Sequence, residues 1–435
     1  MGRKRSYKPL NIFFQTRQVG QLIRKTSGAI EFTYVNCWLD WQSAFPVSIS
    51  LPLRDDKFIG AQVAAVFENF LPDNEAIRKS VAVRVGATGS DAFSLLHEIG
   101  RDCVGALQFL PDGVSPLPLT ELTGRDLADN DICRILSELD ITPLGIRAEN
   151  DFRISLAGAQ DKTALLYKDG QWIEPSGTTP TSHIIKPQIG KLSNGMDLTR
   201  SVENEYLCMK LMAAFGLRCA HVEMAQFNSQ KALVIERFDR KWSDGGLLIR
   251  LPQEDCCQAL SVPPTLKYQN EGGPGIVDIM AILRGSDNPG KDRYEFFKTH
   301  LIFWLIGATD GHAKNFSLAL STNGRFQLTP LYDVLSLQPL FDKKQIPHKN
   351  FKMAMRVGRS NQYNVENILG RHFIQTGQKS GLSLETLSEI IDDIAANTDA
   401  ALNATADSLP EDFPDELFSS IAAAIKRRLS KLEVS

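Results

Sequence analysis

No run of about 18 apolar residues, the length needed to cross a bilayer, occurs anywhere in this chain. The opening Met1-Gly-Arg-Lys-Arg5 leads into polar and strand-like residues where a signal peptide would have its apolar core, so a cytoplasmic protein with no membrane partner is expected. C-x-x-C pairs are absent too. The seven cysteines (37, 103, 133, 208, 219, 256, 257) include only one adjacent pair, so reduced thiols are expected in place of a disulfide framework or structural zinc. Neither sign of charge dominates: 48 Lys and Arg stand against 51 Asp and Glu, a net −3, and the chain as a whole is a poor partner for polyanions. Internal repeats, long low-complexity linkers and the kinase G-x-G-x-x-G are also missing.

What is present is the composition of a globular protein too long for one core. With 435 residues and 43% hydrophobic content, two or three subdomains are expected. Short strand candidates open the chain at residues 11–14, 19–23 and 30–34. From Asp73 the pattern turns helical, with Ile77, Val81 and Val85 four apart behind a Pro72-Asp73 start, then an apolar segment at 92–99 and a strand at 105–110. Helices are expected at 198–215, 384–396 and 416–432. The cations Lys426, Arg427, Arg428 and Lys431 of the last one suit a helix C-terminus and a solvated face. The division expected is 1–115, 116–240 and 241–435.

The chemistry is concentrated near residue 310. An apolar helix, Leu301-Ile-Phe-Trp-Leu-Ile306, opens into Gly307-Ala-Thr-Asp310-Gly-His312-Ala313-Lys314-Asn315, and a hairpin then brings the chain to Tyr332-Asp333. An Asp, an Asn five positions on and a second Asp after a hairpin is the order in which protein kinases place a catalytic base and two Mg²⁺ ligands. Asp310 suits the base because its Gly-flanked loop is held by a packed helix, and Asn315 and Asp333 offer the oxygen donors that hard Mg²⁺ takes. The plain alternative is a polar turn.

Upstream, Arg153-Ile-Ser155-Leu-Ala157-Gly158-Ala159-Gln160-Asp161-Lys162 reads as a strand and a small-residue loop before a strand at 163–167. Such a loop lets backbone N–H groups approach phosphate, with Lys162 adding charge; the alternative is a simple hairpin. His183-Ile-Ile-Lys186 ends in lysine as the kinase V-A-I-K strand does, which makes Lys186 a phosphate anchor or a lysine snorkelling to solvent. Either Glu203 or Glu205 could pair with Lys186, but both better suit the start of the following helix. The run Ala232-Leu-Val-Ile-Glu236-Arg237-Phe238 stands where a kinase hinge meets adenine, and residues 251–275 hold too many breakers for one element.

Taken together, Ile154-Ser155-Leu-Ala-Gly-Ala-Gln-Asp-Lys162, Ile235-Glu-Arg-Phe-Asp-Arg240, Leu251-Pro-Gln-Glu-Asp255, Trp304-Leu-Ile-Gly-Ala-Thr-Asp310-Gly-His-Ala-Lys-Asn315 and Pro330-Leu-Tyr-Asp333 closely resemble the HipA-like serine/threonine kinases, toxins of HipBA-type toxin–antitoxin modules. The resemblance covers nearly the whole chain. It implies an α+β, two-lobed protein-kinase-like fold related to lipid kinases, with an extra N-terminal β-rich subdomain and an all-α C-terminal lobe. It implies ATP and Mg²⁺ as cofactors, Asp310 as base, and Asn315 and Asp333 as metal ligands. Residues 157–162, Lys186, Glu236 to Phe238, His312, Ala313, Lys314 and Tyr332 would lie about the nucleotide, and Ser155 matches an autophosphorylated serine. Implied partners are a HipB-like helix-turn-helix antitoxin, operator DNA through that antitoxin, and a protein substrate, an aminoacyl-tRNA synthetase with the glutamyl enzyme first. No basic cluster stands around Leu369-Gly-Arg-His372 to carry the family's DNA contacts over. Two other classes suit the same residues: a kinase-like corepressor without turnover, and a metal-dependent hydrolase using Asp310, His312 and Asp333.

Overall fold

A computed structural model describes residues 8–147, 151–158 and 160–432; Ala159 of the expected nucleotide loop lies outside them. The chain packs into two compact units. One comprises residues up to 187 with 225–265 and 318–326, the other 188–224, 266–317 and 327 onward. The expected boundaries at 115 and 240 both fall inside the first unit.

The first unit begins as an antiparallel sheet in the order Phe58–Ile59, Ile30–Tyr34, Arg17–Arg24, Leu10–Phe14, Leu107–Pro111. The three strands expected at the start of the chain are there because Leu10, Ile12, Val19, Leu22 and Phe32 all turn fully buried side chains into one core. Trp38, Phe67 and Phe109 fill it, with the helices Ala61–Glu68 and Ala92–Ile99. The helix expected from Asp73 is Glu75–Val85; Asn74 caps it by accepting from the backbone N–H groups of Ala76 and Ile77, and Gly86 ends it in the left-handed region.

A second sheet, all in this unit except Val222–Met224 of its edge strand, runs Val222–Phe227, Gln230–Glu236, His183–Pro187, Thr163–Lys168, Gln171–Pro175, Gly124–Leu127. Ile154–Ser155 does not form a hairpin with Thr163–Lys168. It pairs in parallel with Asp102–Cys103.

Glu254, in the Leu251-Pro-Gln-Glu-Asp255 segment, is buried in the same unit, where its Oε1 accepts from the Ile49 N–H at 2.8 Å. Burial pushes its carboxyl up to about 8, against the pull of the Ile49 and Ser48 hydrogen bonds. A carboxyl raised in the folded state stabilises fully below its unfolded value and loses that stability as pH rises through the folded one, here between about 4.5 and 8. Glu254→Gln should therefore flatten the pH profile. Urea unfolding of both proteins at pH 5 and pH 8 should show the variant gaining on wild type by up to about 1.4 kcal/mol per pH unit. Parallel profiles would contradict a buried, protonated Glu254.

The second unit is built from helices Ser201–Ala214, Pro289–Ile306, Gly370–Lys379, Leu384–Ser408 and Asp415–Leu429. Two short strand pairs, Gly190–Lys191 with Asp197–Leu198 and Lys352–Val357 with Gln362–Asn364, sit among them, so the lobe expected to be all-α is mainly helical. Pro289–Ile306 is the axis: from Phe296 to Ile306 every residue is buried, the signature of a helix packed on all sides. Arg428 departs from the solvated face expected of it. It is fully buried, donating to the Leu305 carbonyl at 2.9 Å and pairing with Glu366 at 2.9 Å, which braces the end of that axial helix. None of the described helices is long and apolar enough to cross a membrane.

Candidate active site

In the second unit, the axial helix stops where Gly307 turns to φ +71° and the Ala308 N–H bonds back to the Phe303 carbonyl at 2.8 Å. The chain leaves it as the loop that carries Asp310. Gly311 lies flat on the Phe303 ring, where a Cβ would come within 2.6 Å, so the loop is seated on the buried helix. Asp310 is exposed, but its backbone is not loose. Its carbonyl accepts from the His312 N–H at 2.7 Å and from Asn315 Nδ2 at 2.9 Å. Because the amide nitrogen of Asn315 is occupied in this way, its Oδ1 is the end left to offer a hard cation.

Tyr332 ties the two halves of this arrangement together: its hydroxyl donates to the Lys314 carbonyl at 2.8 Å and lies 2.6 Å from Ser317 Oγ. Asp333 follows with φ +60°, a left-handed backbone that aspartate tolerates better than most residues and that recurs where function over-determines the chain. Beyond it, Ser336 donates to the Ile306 carbonyl at 2.5 Å and its N–H is held by Asn204 Oδ1 at 3.0 Å. Lys314, His312 and Ala313 are buried. Among the described residues no cluster of three His, Cys, Asp or Glu side chains is placed to hold a metal ion, so the hydrolase reading finds no such ligand set there.

In the first unit, the small-residue loop is packed against the segment Phe70–Asp73. Ser155 is fully buried and donates to the Phe70 carbonyl at 2.7 Å; the Asp73 N–H reaches the Gly158 carbonyl at 3.2 Å. Lys162 Nζ donates to the Ala157 carbonyl at 3.0 Å, and Gln160 Nε2 reaches the Pro187 carbonyl at 3.5 Å. Asp161 is held above the usual carboxylate range by partial burial and then by Asp140. Lys186 does not snorkel: it is buried, on a strand flanked by Thr163–Lys168 and Gln230–Glu236. Glu203 and Glu205 are buried as well, in the second unit, where Gln188 Nε2 donates to Glu203 at 2.6 Å.

The segment Glu236 to Phe238 divides in role. Glu236 is exposed at the end of its strand, whereas Arg237 is buried and its N–H bonds to the Ser182 carbonyl at 2.9 Å. The Arg237 guanidinium pairs with Asp239 at 2.7 Å and with Asp102 at 3.4 Å. Arg240 and Arg250 each reach Asp102 at 2.9 Å, and the Gly105 N–H donates to Asp239 at 2.6 Å. All five side chains are buried. Burial alone would raise the Asp102 carboxyl, but Arg240, Arg250 and Arg237 hold it well below its usual range. Arg237 thus contributes its side chain to a buried ionic network.

A model of the HipA-like C-terminal domain matches residues 154–402, and one of the HipA N-terminal domain matches residues 10–110. This chain belongs to the HipA family. The Sinorhizobium fredii protein Y4mE is 37% identical over 80% of this chain and 81% of its own. The serine/threonine-protein kinase toxin HipA of Shewanella oneidensis is 30% identical over 70% of each. The structure of Shewanella oneidensis HipA in a complex with HipB and its operator DNA matches with a TM-score of 0.80 over 97% of this chain and 98% of that one, at 24% identity. The α+β, kinase-like fold is therefore that of HipA.

Two features escaped the sequence reading. One is the ionic network, whose members lie up to 148 positions apart. The other is Tyr268, whose hydroxyl donates to Asp310 Oδ1 at 2.5 Å. The breakers within 251–275 argued only against a single element and gave no sign that Tyr268 meets the candidate base.

Proposed function

We propose that this HipA-family chain is an ATP- and Mg²⁺-dependent serine/threonine kinase that acts as the toxin of a type II toxin–antitoxin pair. The observation that carries this reading is the Asn315 amide, donating to the Asp310 carbonyl and so reserving its oxygen for a cation in the loop that presents an exposed carboxylate. Mg²⁺–ATP, when bound, supplies the phosphoryl group. Asn315 and Asp333 would hold the metal, and Lys186 and Lys162 would neutralise phosphate charge, Lys162 by leaving the Ala157 carbonyl. Asp310 would take the proton of the acceptor hydroxyl as it attacks.

The substrate proposed is an aminoacyl-tRNA synthetase, the glutamyl enzyme first. A phosphate placed on its ATP-binding loop would add about −1.5 to −2 charge and repel the ATP held there. Incubating the kinase with γ-labelled ATP and a panel of purified synthetases tests both levels. Label on the glutamyl enzyme with loss of aminoacylation is the expected result; label on another protein moves the substrate, and no transfer to any acceptor overturns the kinase. A helix-turn-helix antitoxin is proposed to supply most operator contacts, so in gel shifts the kinase should bind operator DNA only with that antitoxin present.

Ser155 is proposed as the site of autophosphorylation by a second copy, switching the enzyme off. A phosphoserine cannot keep the Phe70 contact of the buried hydroxyl, so the modified strand must leave Asp102–Cys103 and carry the nucleotide loop with it. Intact-mass analysis after incubation with ATP should find one phosphate on Ser155, and the modified protein should lose ATP binding. Modified protein that still binds ATP contradicts the switch.

A further inference from the structure

We infer that Tyr268 is a positioning residue for phosphoryl transfer, holding one carboxylate oxygen of Asp310 so that the other is presented to the acceptor hydroxyl. The inference rests on the kinase reading of Asp310. Its phenol donates to Asp310 Oδ1 at 2.5 Å. The loop backbone is fixed by His312 and Asn315, but those contacts reach the Asp310 carbonyl and leave its side chain to rotate. Tyr268 supplies the contact at the carboxylate itself.

The tyrosine is in turn held on three sides. Its ring meets buried His312 edge-to-face, centroids 4.9 Å apart at 83°. Behind it, Gln269 Oε1 accepts from the Arg356 N–H at 2.8 Å, which ties the turn to the strand Lys352–Val357. Below it, the Gly273 N–H bonds to the Tyr268 carbonyl at 3.0 Å, at a place where a Cβ would lie 1.9 Å from the Leu266 carbonyl oxygen. Glycine is thus required for the turn to close, which gives the Gly272-Gly-Pro-Gly275 run a purpose: it builds the shelf on which Tyr268 stands. A carboxylate with one oxygen held by a fixed donor has its second oxygen aimed, and positioned proton acceptors gain their rate from such aim.

The test uses the full-length chain, Mg²⁺–ATP and casein as a generic serine/threonine acceptor, with ADP release and label transfer as readouts. Tyr268→Phe keeps the ring against His312 and removes only the hydroxyl. It should lower kcat about 10–100-fold, the range for a hydrogen bond to a charged group, with KM for ATP and Tm unchanged. In an Asp310→Asn background the same change should alter the residual rate less than twofold, because the group being aimed is gone. Three results overturn the inference: a Tyr268→Phe enzyme at the wild-type rate, a faster one, in which the phenol merely blocks the acceptor's seat, or an equal loss in both backgrounds, which a general structural defect would give. A wild type that turns over no ATP overturns the kinase reading and this inference with it, whereas an active wild type beside an unaffected variant overturns the inference alone.

Discussion

Replacing Asp310 by asparagine is expected to slow phosphoryl transfer by about 10²–10⁴-fold, the contribution of a positioned general base. The side chain is exposed, and the contacts that fix its loop are made by its backbone carbonyl, so the variant should fold and melt as wild type does. Asparagine also offers an oxygen to Tyr268. What it lacks is the ability to take a proton. Single-turnover transfer from labelled ATP, read beside the melting temperature, separates the two effects. Wild-type turnover would remove Asp310 from the role.

The largest effect on stability is expected at Asp102→Asn. The substitution keeps the shape of the side chain but removes the charge that Arg237, Arg240 and Arg250 share, leaving Asp239 as the remaining carboxylate partner of Arg237 and Arg240. Breaking a buried ion pair by neutralising one partner costs about 3–5 kcal/mol. The new amide would also point N–H groups toward guanidinium donors. Because the Asp102 carboxyl is depressed in the folded state, its stabilising contribution is present above the unfolded value of about 3.9 and is lost only as pH falls below it. Urea unfolding at pH 7 should therefore show the full loss; a change under about 1 kcal/mol would mean that the arginines are compensated elsewhere.

Much of this was legible in advance, and the reason is locality. The opening strands alternate or bury their apolar residues over five to eight positions, and the helix Ala92–Ile99 begins behind an Asp91 cap that accepts from the Ser94 N–H. The Asp310, Asn315 and Asp333 order is likewise short-range. The expectation for the helix begun at Leu384 stopped at Ala396, but it continues to Ser408 because Thr398, Ala401, Leu402 and Thr405 keep its buried stripe while Thr398 bonds back to the Ile394 carbonyl. Small and hydroxylated residues hid that stripe. The strand at Ser155 was expected beside 163–167 because its true partner, Cys103, is 52 positions away, and the inward turn of Arg428 depends on Leu305 and Glu366. Partners brought by tertiary packing leave no periodicity to read.

Burial of Ser155 makes time a variable of the proposed switch. A hydroxyl with no exposed surface is open to a kinase only while its strand is away from Asp102–Cys103, so the pace of modification follows how often that pairing opens and not how fast phosphate is transferred. The strand then acts as a clock on the active lifetime of each molecule. Loosening the clock, by substitutions around Phe70 or Cys103, would shorten that lifetime without altering the chemistry the enzyme performs while it lasts.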